Sequence, residues 1–169
     1  MKNFLNLLYK AENRIVSAEK TALAVLLCAM IAGSFVQVVL RLAFSSGVLW
    51  MDPLLRYFTL WAGFIGAALA AHENKHFALD VTAKLFKGAA GRAVFYIANS
   101  LTVIVCAVLA DAAVKFIRME AETGTTLFRI GGFSVPAQWF ELILPVGFGL
   151  IILHSVFNML RFPREEARG

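Results

Sequence analysis

Four long apolar runs, separated by stretches rich in charge or glycine, set the pattern of this chain; they cover about residues 21–44, 54–71, 93–117 and 137–160. The second is the most sharply bounded, because Leu54 to Ala71 is eighteen residues with Arg56 as the only charge. As a helix it rises about 27 Å at roughly 1.5 Å per residue, close to the ~30 Å of a bilayer's hydrocarbon core. Trp50, Asp52 and Pro53 precede it as an interfacial aromatic and a helix-start signal. His72, Glu73, Lys75, His76 and Asp80 then return the chain to water. Inside the run, Ala62, Gly66 and Ala70 recur every fourth residue, as do Gly63, Ala67 and Ala71. Small residues at that spacing predict a face where another helix can approach closely.

The segments between the runs complete the expected fold. Residues 1–20 place Phe4, Leu8, Ala11 and Ile15 on one helical face, with Lys2, Lys10, Glu12 and Arg14 largely elsewhere. That pattern reads as an amphipathic helix in the membrane interface, the alternative being the start of the first span. The following run is far longer than the apolar core of a cleaved signal peptide, so no cleavage is expected. Ser45, Ser46 and Gly47 turn the first span into the second. Residues 72–92 read as a polar connection whose FALDVTAKLF stretch can lie as a short surface helix, ended by Gly88 and Gly91. Residues 118–136 read as a loop carrying Glu120, Glu122, Gly124, Arg129, Gly131 and Gly132, with Pro136 opening the fourth span. The predicted fold is one membrane domain over residues 1–169. It is an all-α integral membrane protein of four transmembrane helices with an N-terminal interfacial helix.

Composition agrees and charge adds an orientation. The chain is 60% hydrophobic with mean hydropathy +0.74, above the roughly 45–50% apolar content of soluble domains. In such a chain the formal charge of +5 is first a topological signal, and a nucleic-acid partner is not expected. Eleven Lys and Arg fall in the N-terminal segment, the 72–92 connection and the C-terminal tail, against five on the opposite side. The richer side is the cytoplasmic one, so both termini are expected inside, in a multi-pass protein of the cytoplasmic membrane. Cys28 and Cys106 both lie within spans and read as small core residues rather than a disulfide pair.

Ionisable groups inside spans are the candidates for chemistry, since each costs roughly 2.5 to 3.5 kcal/mol at the bilayer centre on insertion scales. Arg41, Arg56, Asp111 and Glu141 all fall in the outer third of their spans. Two cations and two anions at one level predict an ion-paired outer layer, with Gln37 and Asp52 as further hydrogen-bond partners. A substrate or ion site, and cations snorkelling to water, are the other readings. At the inner third, His154 and Asn158 on span four share a level with Asn99 on span three, which predicts an interhelical hydrogen bond. His72 and His76 have metal-ligand spacing but no third ligand nearby in sequence, so no metal site is expected. No phosphate loop, cysteine cluster or nucleophile elbow is present, and neither a catalytic nor a substrate-binding residue is assigned.

The segment from Trp50 to Asp80 resembles the small membrane subunit of tripartite ATP-independent periplasmic (TRAP) transporters, the DctQ-like family. The resemblance rests on Trp50, Asp52, Arg56, Trp61, Gly66 and Ala67, followed by His76, Phe77, Leu79 and Asp80. Pro53 stands where the family pattern has a second acid. Span four is similar to the family's last helix through Pro136, Pro145, Gly147 and Phe148. The resemblance implies a non-enzymatic subunit that binds no cofactor itself. It would partner a large membrane subunit holding the substrate and sodium sites, together with an extracytoplasmic binding protein. In that family the small subunit is a scaffold, and the substrates are carboxylates, including sialic acid and C4-dicarboxylates. Two other readings remain: a self-contained four-helix exporter acting as an oligomer, and a haem or quinone membrane anchor.

Overall fold

The computed structural model describes the backbone of residues 2–85, 89–130 and 132–166, and side chains at residue 10 and over 12–73, 90–129 and 132–160. In chain order the elements are α1 (Lys2–Phe44), α2 (Met51–Leu85), α3 (Ala89–Thr123), β1 (Thr126–Ile130), β2 (Phe133–Pro136), α4 (Gln138–Glu141) and α5 (Ile143–Glu166). Four stretches are long and apolar enough to cross a membrane: Glu12–Phe44, Met51–Glu73, Ala90–Thr123 and Gln138–Leu160. The all-α membrane architecture is therefore the one the apolar runs predict.

The helices extend beyond the spans. α1 has 43 residues, a length of about 65 Å, twice the hydrocarbon core. Residues 2–20 are thus continuous with the first span instead of forming a separate interfacial helix, and no Pro or Gly occurs before Gly33 to break the run. α2 likewise does not stop where polarity begins at His72 but runs on to Leu85, so the surface helix expected within 72–92 is the tail of the span itself. A helix keeps its hydrogen bonds inside its own backbone, so leaving lipid does not end it. α3 reaches Thr123 and stops at Gly124, which takes φ 67° and donates its N–H to the Glu120 carbonyl at 3.1 Å.

The expected loop at 118–136 is instead the end of α3 followed by an antiparallel hairpin. Its partners are Ile130 with Phe133, Arg129 with Ser134, Phe128 with Val135 and Thr126 with Pro136, with an irregularity between Thr126 and Phe128. The Ala137 N–H closes its base on the Thr125 carbonyl at 3.1 Å. The fourth span is interrupted: α4 ends at Glu141, Leu142 is a turn, and α5 begins at Ile143. Pro145 accounts for the break, because it has no N–H to give to the carbonyl of Glu141 four residues earlier.

The chain forms two compact units, Met1–Gly66 with Glu120–Glu141, and Ala67–Met119 with Leu142–Gly169. In the first unit, α1 and α2 approach closely at Gly33, where an added Cβ would stand 3.1 Å from Leu55 Cδ2. An aromatic cluster ties the hairpin to α2 and α4, with ring centroids 6.0 Å apart for Trp50 and Phe128, 6.4 Å for Phe128 and Phe140, and 5.7 Å for Tyr57 and Phe140. In the second unit Ala68, Leu69, Phe95, Cys106, Ala113 and Ile143 are buried, with His154, Ser155 and Asn158 also buried.

The buried residues of α2 are Ile65, Ala68 and Leu69, whereas Gly63, Ala67 and Ala70 are exposed. A Cβ at Gly63 or Gly66 would meet nothing within 4 Å. Among the described residues, the close helix approach expected at Gly66 is therefore not made. Gly33 makes one instead.

Candidate functional site

Among the described residues, polar side chains that join one segment to another gather in three places, two in the first unit and one in the second. The first is the corner between α1 and α2. Gln37, buried on α1, donates from Nε2 to the Val48 carbonyl at 3.0 Å and to Asp52 Oδ1 at 3.1 Å, and its Oε1 accepts the Val48 N–H at 3.1 Å. Asp52 Oδ2 accepts from Arg41 in an ion pair. One turn of α1 thus holds the connecting loop and the first turn of α2 together. Ser45 takes φ 49° in that loop. Gly47 passes so close that an added Cβ would stand 3.1 Å from Arg41 Nε, so a larger residue there would push on the ion pair. A cleft of about 390 Å³ opens beside it, lined by Gln37, Arg41, Ser46, Gly47 and Asp52 among others.

The second place is the break in span four. Glu141 is 6% exposed, and its Oε1 accepts the Tyr57 hydroxyl at 3.0 Å. Next to it, the Trp61 indole N–H donates to the Phe140 carbonyl at 2.8 Å. α2 is therefore fastened to α4 by two side-chain donors at the point where the helix is discontinuous.

In the second unit, Asn158 of α5 donates from Nδ2 to the Ala71 carbonyl of α2 at 2.8 Å, and the rings of His72 and His154 lie 5.2 Å apart, edge to face. Asn99 turns its Nδ2 onto the Phe95 carbonyl of its own helix at 2.9 Å, and Thr102 turns its hydroxyl onto Ala98 at 3.0 Å. A notch of about 160 Å³ lies among Ala71, Phe95, Asn99, Thr102, Ser155 and Asn158.

Of the expected outer layer of Arg41, Arg56, Asp111 and Glu141, the three members in the first unit do not pair with one another, and Asp111 in the second unit has a partner on its own helix. Arg41 takes Asp52, Asp111 pairs with Lys115 one turn along its own helix at 2.7 Å, and Glu141 takes Tyr57. Arg56 is exposed. Depth along a span did not give the partners of these groups, which loop closure and helix spacing decide. Gln37 and Asp52 do bond as expected, and Asn158 makes an interhelical bond, to backbone instead of to Asn99. Trp50 sits against the hairpin at Phe128, Trp61 bonds α4 at Phe140, Pro136 ends β2, and Pro145 lies in the first turn of α5. His76 and Asp80 have helical backbone, but their side chains lie outside the described residues. Tyr57, Thr102 and Ser155 were missed by sequence reasoning, because a phenol or hydroxyl in a span reads as tolerated polarity rather than as a partner.

The sequence profile of the DctQ component of tripartite ATP-independent periplasmic transporters matches residues 20–164. A curated protein of Haemophilus influenzae, described as a TRAP transporter small permease protein, is 32% identical over 75 residues, covering 44% of this chain and 46% of that relative. The aligned part thus spans about half the relative's length.

Proposed function

Because the chain belongs to the DctQ component family of tripartite ATP-independent periplasmic transporters, we propose that it is the small permease subunit of a sodium-coupled, binding-protein-dependent secondary transporter for organic acids. In this reading it is a scaffold for a large transport subunit, and sodium and substrate are held by that partner. An extracytoplasmic binding protein delivers the substrate, and no catalytic role or cofactor is assigned to this chain. The excess of Lys and Arg at both termini and in 72–92 supports an inner-membrane protein with its ends in the cytoplasm.

The observation that carries the scaffold reading is how the described span residues are divided. Gln37, Asp52, Tyr57 and Trp61 spend their polar groups, and Asn158 its amide nitrogen, fastening one segment of the chain to another. The small-residue face of α2, by contrast, is left open at Gly63 and Gly66. A subunit that locks itself and offers an uncrowded helix face suits a role in holding a second membrane protein. The test is uptake of a labelled organic acid, with sodium and a binding protein, by vesicles containing this chain alone or with its large subunit. Uptake is expected only with both. Sodium-driven uptake by this chain alone would overturn the scaffold role and favour a self-contained transporter.

A further inference from the structure

The notch in the second unit has an unusual polarity. Three of its donors go to backbone carbonyls of the helices that frame it: one N–H of Asn158 to Ala71, one of Asn99 to Phe95 and the Thr102 hydroxyl to Ala98. The lining holds no charged residue. Asn158 is 3% exposed, and its Oδ1 has no hydrogen-bond partner. A buried carbonyl oxygen without a donor costs about 1–3 kcal/mol, so a site of this composition favours an incoming donor and disfavours an anion.

Its level in the helices says where such a donor comes from. Asn158 stands three residues before Arg161, Ala71 two before Glu73 and Phe95 three after Arg92, so this end of the notch lies about one turn inside the first charges of three helices, with Thr102 about 15 Å beyond Arg92. That is the depth at which headgroup meets acyl chain. From its rim at Ala98 an exposed apolar face of α3 leads on toward the bilayer centre through Ile97, Leu101 and Ile104. A polar acceptor site at the interface, continued by an apolar track, matches an amphiphile.

We propose that this notch binds the primary ammonium of an amine headgroup lipid of the phosphatidylethanolamine type, whose N–H groups satisfy Asn158 Oδ1 and the neighbouring hydroxyl oxygens while an acyl chain lies along α3. An ammonium carries three donors and no acceptor, so it can serve Asn158 Oδ1 without bringing an unmet acceptor of its own.

Phosphatidylcholine is the discriminating probe, since it keeps the phosphate and chains but has no N–H. The full-length chain, purified in detergent and titrated with each lipid, is read by native mass spectrometry and by thermal stability. Phosphatidylethanolamine is expected to bind about tenfold more tightly than phosphatidylcholine, as one charge-assisted hydrogen bond implies. Asn158→Leu is expected to erase the difference. Ala98→Phe, which closes the rim without touching the Asn158–Ala71 bond, should do the same. Equal binding of the two lipids by the parent chain would overturn the proposal and leave water as the donor. A preference that survives both substitutions would place it elsewhere on the protein. Phosphatidylglycerol binding as tightly as phosphatidylethanolamine would overturn the ammonium assignment, and full stabilisation by free ethanolamine would overturn the lipid.

Discussion

Gln37 and Asn158 are both buried carboxamides near the end of a membrane span, and they are used in opposite ways. Gln37 engages through both ends, donating to Val48 and Asp52 and accepting from Val48, so its corner is complete without any other molecule. Asn158 engages through its nitrogen alone and leaves an oxygen over. The difference follows from what each amide faces. Gln37 faces a loop, whose backbone groups lack helix partners and accept whatever the side chain offers. Asn158 faces the interior of α2, where only a carbonyl is available and each backbone N–H is already committed to its own helix. A side chain against a loop can close a lock, while one against a helix flank retains an open valence.

Gln37→Leu should break the closed side of this comparison hardest. It strands the Val48 N–H, removes a donor from Asp52 and loosens the Arg41 pair, a loss of about 2–3 kcal/mol. A clear fall in the thermal unfolding midpoint of the detergent-solubilised chain is the expected readout. Asn158→Leu tests the open side and should cost the lipid-free chain only about 1 kcal/mol or less, since the single interhelical bond it removes is of that order in membranes and the unpartnered oxygen goes with it. If Asn158→Leu proved as damaging as Gln37→Leu in the absence of lipid, the contrast between closed and open amides would fail. Arg56→Ala is the smallest of the three. Arg56 is exposed and its expected carboxylate partners are engaged elsewhere, so the change should stay within about 0.5 kcal/mol by the same unfolding measurement. A larger loss would restore the ion-paired layer in which Arg56 was first placed.

What the sequence made legible was the solvent of each segment, not the extent of each helix. Apolar runs located the spans, because burial of CH groups in lipid is a property of composition. The helices nevertheless run on through Lys2–Lys20 and Glu73–Leu85, since internally bonded backbone is indifferent to whether lipid or water surrounds it. The hairpin had a readable signal in TLFRI, a glycine pair and FSVP, an extended run, a turn and a second run, outweighed by the expectation of a loop in an all-helical protein. Pro145 was read as a family position, although its missing N–H also forecast the break at Leu142. Within the site, the pairing of Gln37 with Asp52 was accessible because both mark the same loop. The assignment of Arg41 to Asp52 instead of to Glu141 was not, because it depends on a loop that turns through Ser45 and leaves no room at Gly47.

The continuity of α2 past the end of its span makes the helix a torsion shaft. Successive residues are set about 100° apart around the axis, and Gly66 and Asp80 are separated by about 21 Å of unbroken rise. The angular phase of the open small-residue face inside the membrane is therefore carried without slip to the His76–Asp80 segment outside it. Anything that gripped that outer segment could set the azimuth of the inner face. A single residue inserted between Glu73 and Asp80 would turn the two out of register by about 100° while leaving every span as apolar as before.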